Sequence, residues 1–431
     1  MSRSCVVIGA GPAGLAAAYR LGNAGLRVTV LEAGNTIGGR TRTERVGEFT
    51  VNTGASFVAS FYDATLGLLQ ELHLETSALN PQLGVVATPF GKLELDLSSP
   101  GRILRFPLIS SAGKLRAAAM FARASLRRGV HVAKTARLAR LDRSGETVER
   151  WGLRTVGETA YHYLIRTGIE PFFYVGCEEL SAAFGKALVR HALKWKLLVL
   201  PTGMGALCDA LAQRIEVRTG CEASGVEVHD ASVAVHHSGG TVEADYAIVA
   251  APASAVAKLE GGVSDEDRAD TASVRYAPNI CLFFGYERPI TVQYPLVTPA
   301  GPGRHPIARV RTWSALAPQY VPEGKELLAI HATGWRSAEL IERNPSKIVS
   351  DLRSDAEEVF GRLADPDWIR LYPRREGTVI TPPGHYRRMA AFLRRPRQRL
   401  LYAGDWLTGS TIEGAVRTGL SAAERIIKAE R

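Results

Sequence analysis

Two short runs near the start of the chain have the residue types and spacing to handle a phosphate-bearing ligand. Gly9-Ala10-Gly11-Pro12-Ala13-Gly14 is a G-x-G-x-x-G run. In such a run the first glycine permits a tight turn and the second lets backbone amides approach a pyrophosphate. The third lets a helix pack closely on a strand. A helix starting there turns its positive end toward the phosphates, and Pro12 is compatible because a first-turn amide has no acceptor within the helix. Glu32, with Ala33 beside it, ends the next apolar run. A carboxylate there accepts hydrogen bonds from a ribose diol and repels a 2′-phosphate, which disfavours NADP and suits NAD or FAD.

A second group of residues separates those two dinucleotides. Gly38-Gly39-Arg40 follows the acid closely and offers another close backbone approach with a cation, suited to the far half of a dinucleotide. Near the other end, Leu401-Tyr402-Ala403-Gly404-Asp405 reads as a strand running into a turn. Asp405 is placed to take ribityl hydroxyls. The helix starting near Ile412 is placed to bring its N-terminus to the anionic edge of a flavin ring. These features favour FAD.

The elements that must position these residues can be read from periodicity. Residues 5–8 form a first strand, 12–24 a helix with Leu15, Ala18 and Leu21 at helical spacing, and Val28-Thr29-Val30-Leu31 a second strand. Helix is expected at 60–76, strands and loops at 80–110 among Pro81, Pro89, Gly91, Pro100 and Pro107, and mostly helix over 112–200. From about 215 the alternation is β-like: a small meander, then Tyr246 to Ala250, with further strands at 280–286 and 326–333. Helix at 345–362, strand at 399–403 and helix from about 411 to 428 complete the pattern.

The expected fold class is α/β (α+β with inserted parts): a Rossmann-like, two-dinucleotide-binding FAD domain with an inserted, partly helical substrate domain. Segments 1–60, 206–270 and 391–431 are assigned to the FAD domain. Residues 61–205 form a mostly helical, membrane-facing part of the substrate domain and 271–390 its sheet part.

Composition narrows the setting. The 431 residues carry 53 Lys and Arg against 43 Asp and Glu, a net charge of +10. The excess is concentrated in Lys114 to Arg143, where Asp142 is the only acid. No helix-turn-helix, zinc-finger or RNA-binding signature accompanies it, so nucleic acid is not an expected partner. Cys5, Cys177, Cys208, Cys221 and Cys281 are scattered, which predicts neither a disulfide framework nor a metal site. Cys5-Val6-Val7-Ile8 follows Met1 without a leader pattern, and no apolar run reaches the roughly 18 residues of a membrane span. The cytoplasm is the expected compartment.

These segments resemble the FAD-dependent superfamily of amine oxidases, protoporphyrinogen oxidases and phytoene-desaturase-type enzymes. Val6 to Thr43 matches the N-terminal signature, and Ala403-Gly404-Asp405 with Ile412-Glu413-Gly414-Ala415 the C-terminal one. Glu178-Glu179-Leu180-Ser181-Ala182 and Pro201 to Leu207 resemble mid-chain landmarks. Gly220 to Val228 resembles a second FAD-binding strand, with Ala223 at a backbone contact to adenine. Gly54-Ala55-Ser56 falls where family members pass close to the flavin.

The resemblance implies hydride transfer from a C–H bond to flavin N5, forming a double bond. Oxygen or a quinone would reoxidise the flavin. Such chemistry often needs no strong acid or base, and no catalytic residue is assigned. Thr411 stands where amine oxidases commonly carry an aromatic of an amine cage, and Cys281 where many carry a lysine. No cysteine follows Cys281, so FAD is expected to be held non-covalently.

The pattern is nearer protoporphyrinogen oxidases and desaturases, with a bulky, largely apolar substrate. The expected substrate region includes Cys281, Trp335, Tyr372 and Thr411, with His385 and Tyr386 in bordering segments. His331 reads as a core histidine. Arg374-Arg375, Arg387-Arg388 and Arg394-Arg395 read first as solvated loop charges and second as attractors of a carboxylate-bearing substrate. Arg116, Arg123 and Arg127 on one helix, with Leu115, Ala119, Ala122 and Leu126 to its side, suit either a core-packed helix or contact with an anionic membrane. An amine or amino-acid oxidase and a non-catalytic carrier resembling Rab escort proteins are the competing readings.

Overall fold

A computed structural model describes residues 3–79, 84–95, 99–127, 129–192 and 195–431. Pro81, expected to interrupt local structure, lies outside these residues. The apolar N-terminal run forms the strand Ser4–Ile8, the centre of a five-stranded sheet. Arg27–Leu31 and then Glu216–Arg218 lie on one side of it, Tyr246–Val249 and then Leu400–Tyr402 on the other, all parallel. One neighbour of Ser4–Ile8 is thus the next strand of its own βαβ unit and the other comes from far along the chain. This is the reversal of strand order outside which α/β sheets bind ligands, at the carboxyl ends of the strands.

The helix Pro12–Asn23 packs this sheet against the helix Ile412–Ala429. Small residues make the approach close: Ala16, Ala17 and Ala18 are buried, and a Cβ on Gly419 would lie 2.0 Å from the Ala13 carbonyl oxygen.

A second, mixed sheet has seven strands, in the order Trp368–Ile380, Arg275–Tyr286, Glu326–Ala332, Ile307–Thr312, Leu296–Pro299, Gly84–Thr88 and Gly91–Glu94. Alternation along Arg275–Tyr286 serves two cores. Ile280, Leu282 and Phe284 pack with Ile348, Leu352 and Ala356 of the helix Pro345–Phe360. Cys281 and Phe283 point to the other face, with Trp313, Leu327 and Ala329.

Several boundaries depart from the periodicity reading. The first of the mid-chain helices is shorter than expected, Asp63–Glu71, and Pro100–Arg105 is helical, with its proline in the first turn. Trp368–Ile380 and Ile307–Thr312 are strands that alternation did not reveal. The first is an edge strand, half exposed and containing Pro373, which an edge tolerates. The second is buried along its whole length, so it shows no polar face.

Over 112–200, expected to be mostly helical, helices run from Ser111–Ser125 to Ala182–Ala192, and the short strand Leu197–Val199 follows. The helix Ser111–Ser125 starts at Ser110, whose hydroxyl accepts from the Gly113 amide, and it buries Gly113, Ala117, Met120 and Ala124. Arg116 and Arg123 are exposed, and Arg127 lies just beyond the helix end. Leu115 and Leu126 are 75% and 81% exposed. Among the described residues no helix is long and apolar enough to cross a membrane.

Candidate functional site

The Gly9–Gly14 turn leaves the carboxyl end of Ser4–Ile8 in the geometry that its residue types require. Gly9 has φ 106°, a left-handed conformation that suits glycine, and a Cβ on Gly14 would sit 1.9 Å from the Gly9 carbonyl oxygen. At Gly11 a Cβ would meet nothing within 4 Å, because that side of the turn faces open space. No side chain caps the helix that follows, so its first amides are left for another partner. Glu32 is held from both sides: its carboxylate accepts from the Ala10 amide at 2.7 Å and from the Gly34 amide at 2.9 Å.

The second glycine pair folds against the first turn. The Gly38 amide donates to the Ala10 carbonyl, and Gly39 approaches the Gly11 Cα. Arg40 then reaches across to the C-terminal signature, its Nη2 lying 2.6 Å from the Asp405 carboxylate. Burial works against that charge, but the Asp405 carboxylate outweighs it and raises the guanidinium above its ordinary value. Asp405 is thereby occupied: one oxygen binds Arg40 and the other accepts from the Ser410 hydroxyl. Thr411 caps the C-terminal helix, its hydroxyl accepting from the Gly414 amide at 2.9 Å.

These elements line one cavity of about 880 Å³. Ser4–Ile8, the glycine turns, Glu32 and Ala33 form one end, where Cys221, Glu222 and Ala223 close over them. Arg40, Gly54-Ala55-Ser56 and Gly404-Asp405 form the middle, and Thr411, Ile412 and Ala415 bring in the last helix. The volume lies toward the upper end of the ~300–1,000 Å³ usual for ligand pockets.

Of the residues singled out from sequence, Gly9, Gly11, Pro12, Ala13, Glu32, Ala33, Gly39, Arg40, Gly54, Ala55, Ser56, Ala223, Gly404, Asp405, Thr411, Ile412 and Ala415 face this space. Gly14 and Gly38 stand behind it as packing and turn residues.

Three expected substrate-region residues do not reach the cavity. Cys281 lies one strand step behind Asn279, its thiol donating to the Asn279 side chain at 3.1 Å, and burial raises it to about 11. The Tyr372 hydroxyl donates to Glu44. Trp335 starts a helix on the other side of the seven-stranded sheet and lines a separate cleft with Arg166, Arg304 and His305. His385 and Tyr386 are buried at a helix start and are also absent from the cavity wall. The basic runs divide: Arg374 donates to Thr53 from the cavity wall and Arg375 pairs with Glu342, while Arg395 is tied to Glu266, Asp267 and Asp270.

The far end of the cavity holds residues that sequence reasoning did not single out. Phe57, Phe172, Phe173, Tyr174, Asn279 and Arg309 form its wall. Arg309 is 4% exposed and sits among the rings of Phe57, Phe172 and Tyr174, its Nη2 donating to the Tyr174 hydroxyl at 2.7 Å. Arg311, 3% exposed, stacks on Trp313 and donates to the Ser56 hydroxyl at 2.8 Å. Burial, and then Arg309, lower Arg311 to about 9. His331 is buried beside them, its Nδ1 shared by Tyr174 and Cys281, and burial followed by the two arginines depresses it far below its usual value. The i, i+2 spacing of Arg309 and Arg311 was the available sequence signal, but such spacing ordinarily marks a solvated strand face.

A family model described as flavin containing amine oxidoreductase matches residues 12–427. Putrescine oxidase of Kocuria rosea is 43% identical over 76 residues, 18% of this chain and 16% of that protein. Lysine-specific histone demethylase 2 of Homo sapiens is 38% identical over 109 residues, 25% of this chain and 12% of that protein. The flavin-dependent L-tryptophan oxidase RebO of Lentzea aerocolonigenes is 29% identical over 297 residues, 60% of each. The matched stretch is therefore under two thirds of the length of each of these relatives. Among solved structures, a candidate protoporphyrinogen oxidase from Exiguobacterium sp. 255-15 superposes with a TM-score of 0.80 at 16% identity, covering 100% of this chain and 99% of that one. Putrescine oxidase bound to putrescine gives 0.79 at 19% identity, with 99% of each covered. At these identities the likeness is one of fold.

Proposed function

We propose, because this chain belongs to the flavin containing amine oxidoreductase family, that it is an FAD-dependent oxidase or dehydrogenase of a bulky, largely apolar metabolite of porphyrinogen or polyene type. FAD is the cofactor of this family, and the cavity offers what it needs: an open backbone at Gly11, uncapped helix amides, a positioned Glu32 and the capped helix start at Thr411. In this reading Glu32 holds the adenosine ribose, the amides at Ala13 and Gly14 the pyrophosphate, and the Arg40–Asp405 pair the ribityl side.

The bound flavin supplies the hydride acceptor. The chain's own part is to place the substrate carbon against it and exclude water through Phe57, Phe172 and Phe173. The cysteine on the cavity wall, Cys221, lies at the adenosine end, which supports non-covalent attachment. Oxygen or a quinone takes the electrons onward.

The observation that carries the choice of substrate is the far wall. An amine arriving there as an ammonium would meet the positive charges of Arg309 and Arg374, and Thr411 stands where amine oxidases commonly carry a cage ring. Anaerobic addition of porphyrinogen, polyene and amine candidates, followed at the flavin absorption band, tests this. Bleaching by the first two classes is expected, and fast turnover of simple amines with peroxide release would overturn the reading. One observation favours a second reading: a buried arginine in the wall also suits the α-carboxylate of an amino acid. A cytoplasmic enzyme in peripheral contact with an anionic membrane is part of the proposal. Exposed Leu104, Leu115 and Leu126 among basic residues support it.

A further inference from the structure

We infer that Arg309 on the cavity wall, with Arg311 buried beside it, forms a receptor for a carboxylate of the substrate at the far end of the cavity. The inference rests on the reading of that end as the substrate site. Both guanidinium groups are more than nine-tenths buried, on one strand at i and i+2, and each touches only uncharged partners. Arg309 donates to the Tyr174 hydroxyl and Arg311 to the Ser56 hydroxyl, and the Nε of each is buried without an acceptor. No ion pair joins either to a carboxylate among the described residues, and Arg374, the third arginine of this region, also binds only Thr53.

The groups that face the pair include Ser56, Phe57, Phe172, Tyr174, Trp313 and His331, and none of these is acidic. His331 adds no compensation, since its surroundings keep it neutral. Two adjacent buried cations with no counter-charge are costly. A fold retains them where a ligand supplies the missing charge, and a planar carboxylate matches the guanidinium fork.

Two further details aim the site at the cavity. The Asn279 side-chain nitrogen is also buried without a partner, and Asn279 and Arg309 both lie on the cavity wall. Tyr174, whose hydroxyl orients Arg309, holds a positive φ of 61°, a strained backbone for a tyrosine that packing must maintain. The pair sits beside Ser56, on the segment bordering the middle of the cavity, so a substrate anchored there by its carboxylate extends toward the flavin position. Porphyrinogens and amino acids share that anion, and a wholly neutral polyene lacks it.

The test is a titration of FAD-loaded protein with benzoate, with benzamide and benzylamine as its neutral and cationic counterparts and inorganic phosphate as a competing anion. Binding is read from the flavin difference spectrum and the thermal melting point. Saturable benzoate binding is expected, with benzamide about ten-fold weaker or more and benzylamine without effect. Arg309→Met and Arg311→Met should each lose benzoate binding about ten-fold or more at unchanged FAD occupancy. Equal binding of benzoate and benzamide, wild-type benzoate binding in Arg309→Met, or tighter binding of phosphate would overturn the inference. So would loss of FAD from a folded Arg309→Met protein, which would give the arginines to the cofactor. If the variants do not fold, the wild-type comparison of benzoate with benzamide decides. Flavin bleaching by a neutral polyene alongside absent benzoate binding would sink this inference alone, whereas failure to take up FAD would sink the functional reading beneath it.

Discussion

Gly11 and Gly14 are three residues apart in one turn, yet a side chain at each has opposite consequences. At Gly11 a Cβ points into open space, so Gly11→Val should fold normally and obstruct the approach of a pyrophosphate. Its expected signature is a wild-type melting point with a colourless protein, and a yellow holoprotein would refute the assignment. At Gly14 a Cβ would fall on the Gly9 carbonyl, so Gly14→Ala should lower the melting point before cofactor is considered. Glu32 is tied to two backbone amides, which makes it both a ribose acceptor and a brace of the turn. Glu32→Ala should weaken FAD binding about 10- to 100-fold, measured as flavin-to-protein ratio after dialysis, since hydrogen bonds to a charged group are worth roughly 1.5–3 kcal/mol.

At the scale of elements, the C-terminal helix depends on a residue that the signature contains but periodicity could not explain. Glu413 is fully buried and accepts from the Ala64 and Thr65 amides, from the Thr65 hydroxyl and from Arg417. It thereby caps the start of Asp63–Glu71 from another helix, and Arg417 goes on to pair with Asp63. Glu413→Ala should destabilise the protein by roughly 3–5 kcal/mol, the cost of removing one partner of a buried pair, as read from denaturant unfolding. Asp142 has a similar task. The lone acid of the basic stretch accepts from Ser181 and from the Gly384 and Tyr386 amides, joining three distant segments. The βαβ unit and the last strand and helix were legible because their turns and apolar periods are local. These long-range ties were not, because a carboxylate that bridges segments looks in sequence like any surface acid.

Across the whole molecule, a buried and a half-buried histidine couple stability to pH. Burial lowers His385 and His191 from 6.5 to about 4. Above pH 6.5 both are neutral whether the chain is folded or unfolded, and they contribute no pH dependence. As pH falls from 6.5 toward 4 the unfolded chain takes up protons that the folded chain refuses, so stability should drop across that window. Thermal melting from pH 7.5 to 4.5 checks this, and His385→Gln should flatten the slope. Surface and charge meet along the helix Ser111–Ser125 and at its end, where Leu115 and Leu126 stand exposed near Arg116 and Arg123. Co-sedimentation with anionic vesicles is expected for the wild type and should fall for Leu115→Ser with Leu126→Ser. Equal sedimentation would remove the membrane from the proposal.

The residues themselves determined the cofactor-type turn, the acid after the second strand, the matching C-terminal strand and helix, and hence an FAD-type α/β fold. Each of these depends on chemistry within a few positions of chain. Tertiary structure alone decided which residues share the cavity. Trp335 turns to the other face of the seven-stranded sheet, while Cys281 and Tyr372 give their polar atoms to Asn279 and Glu44 and do not reach the cavity. Arg309 and Arg311 stand out only once the sheet and the 170–174 segment close over them. The reason is dielectric: an arginine signals a binding site only once water has been removed from around it, and burial is a property of packing that no local pattern carries.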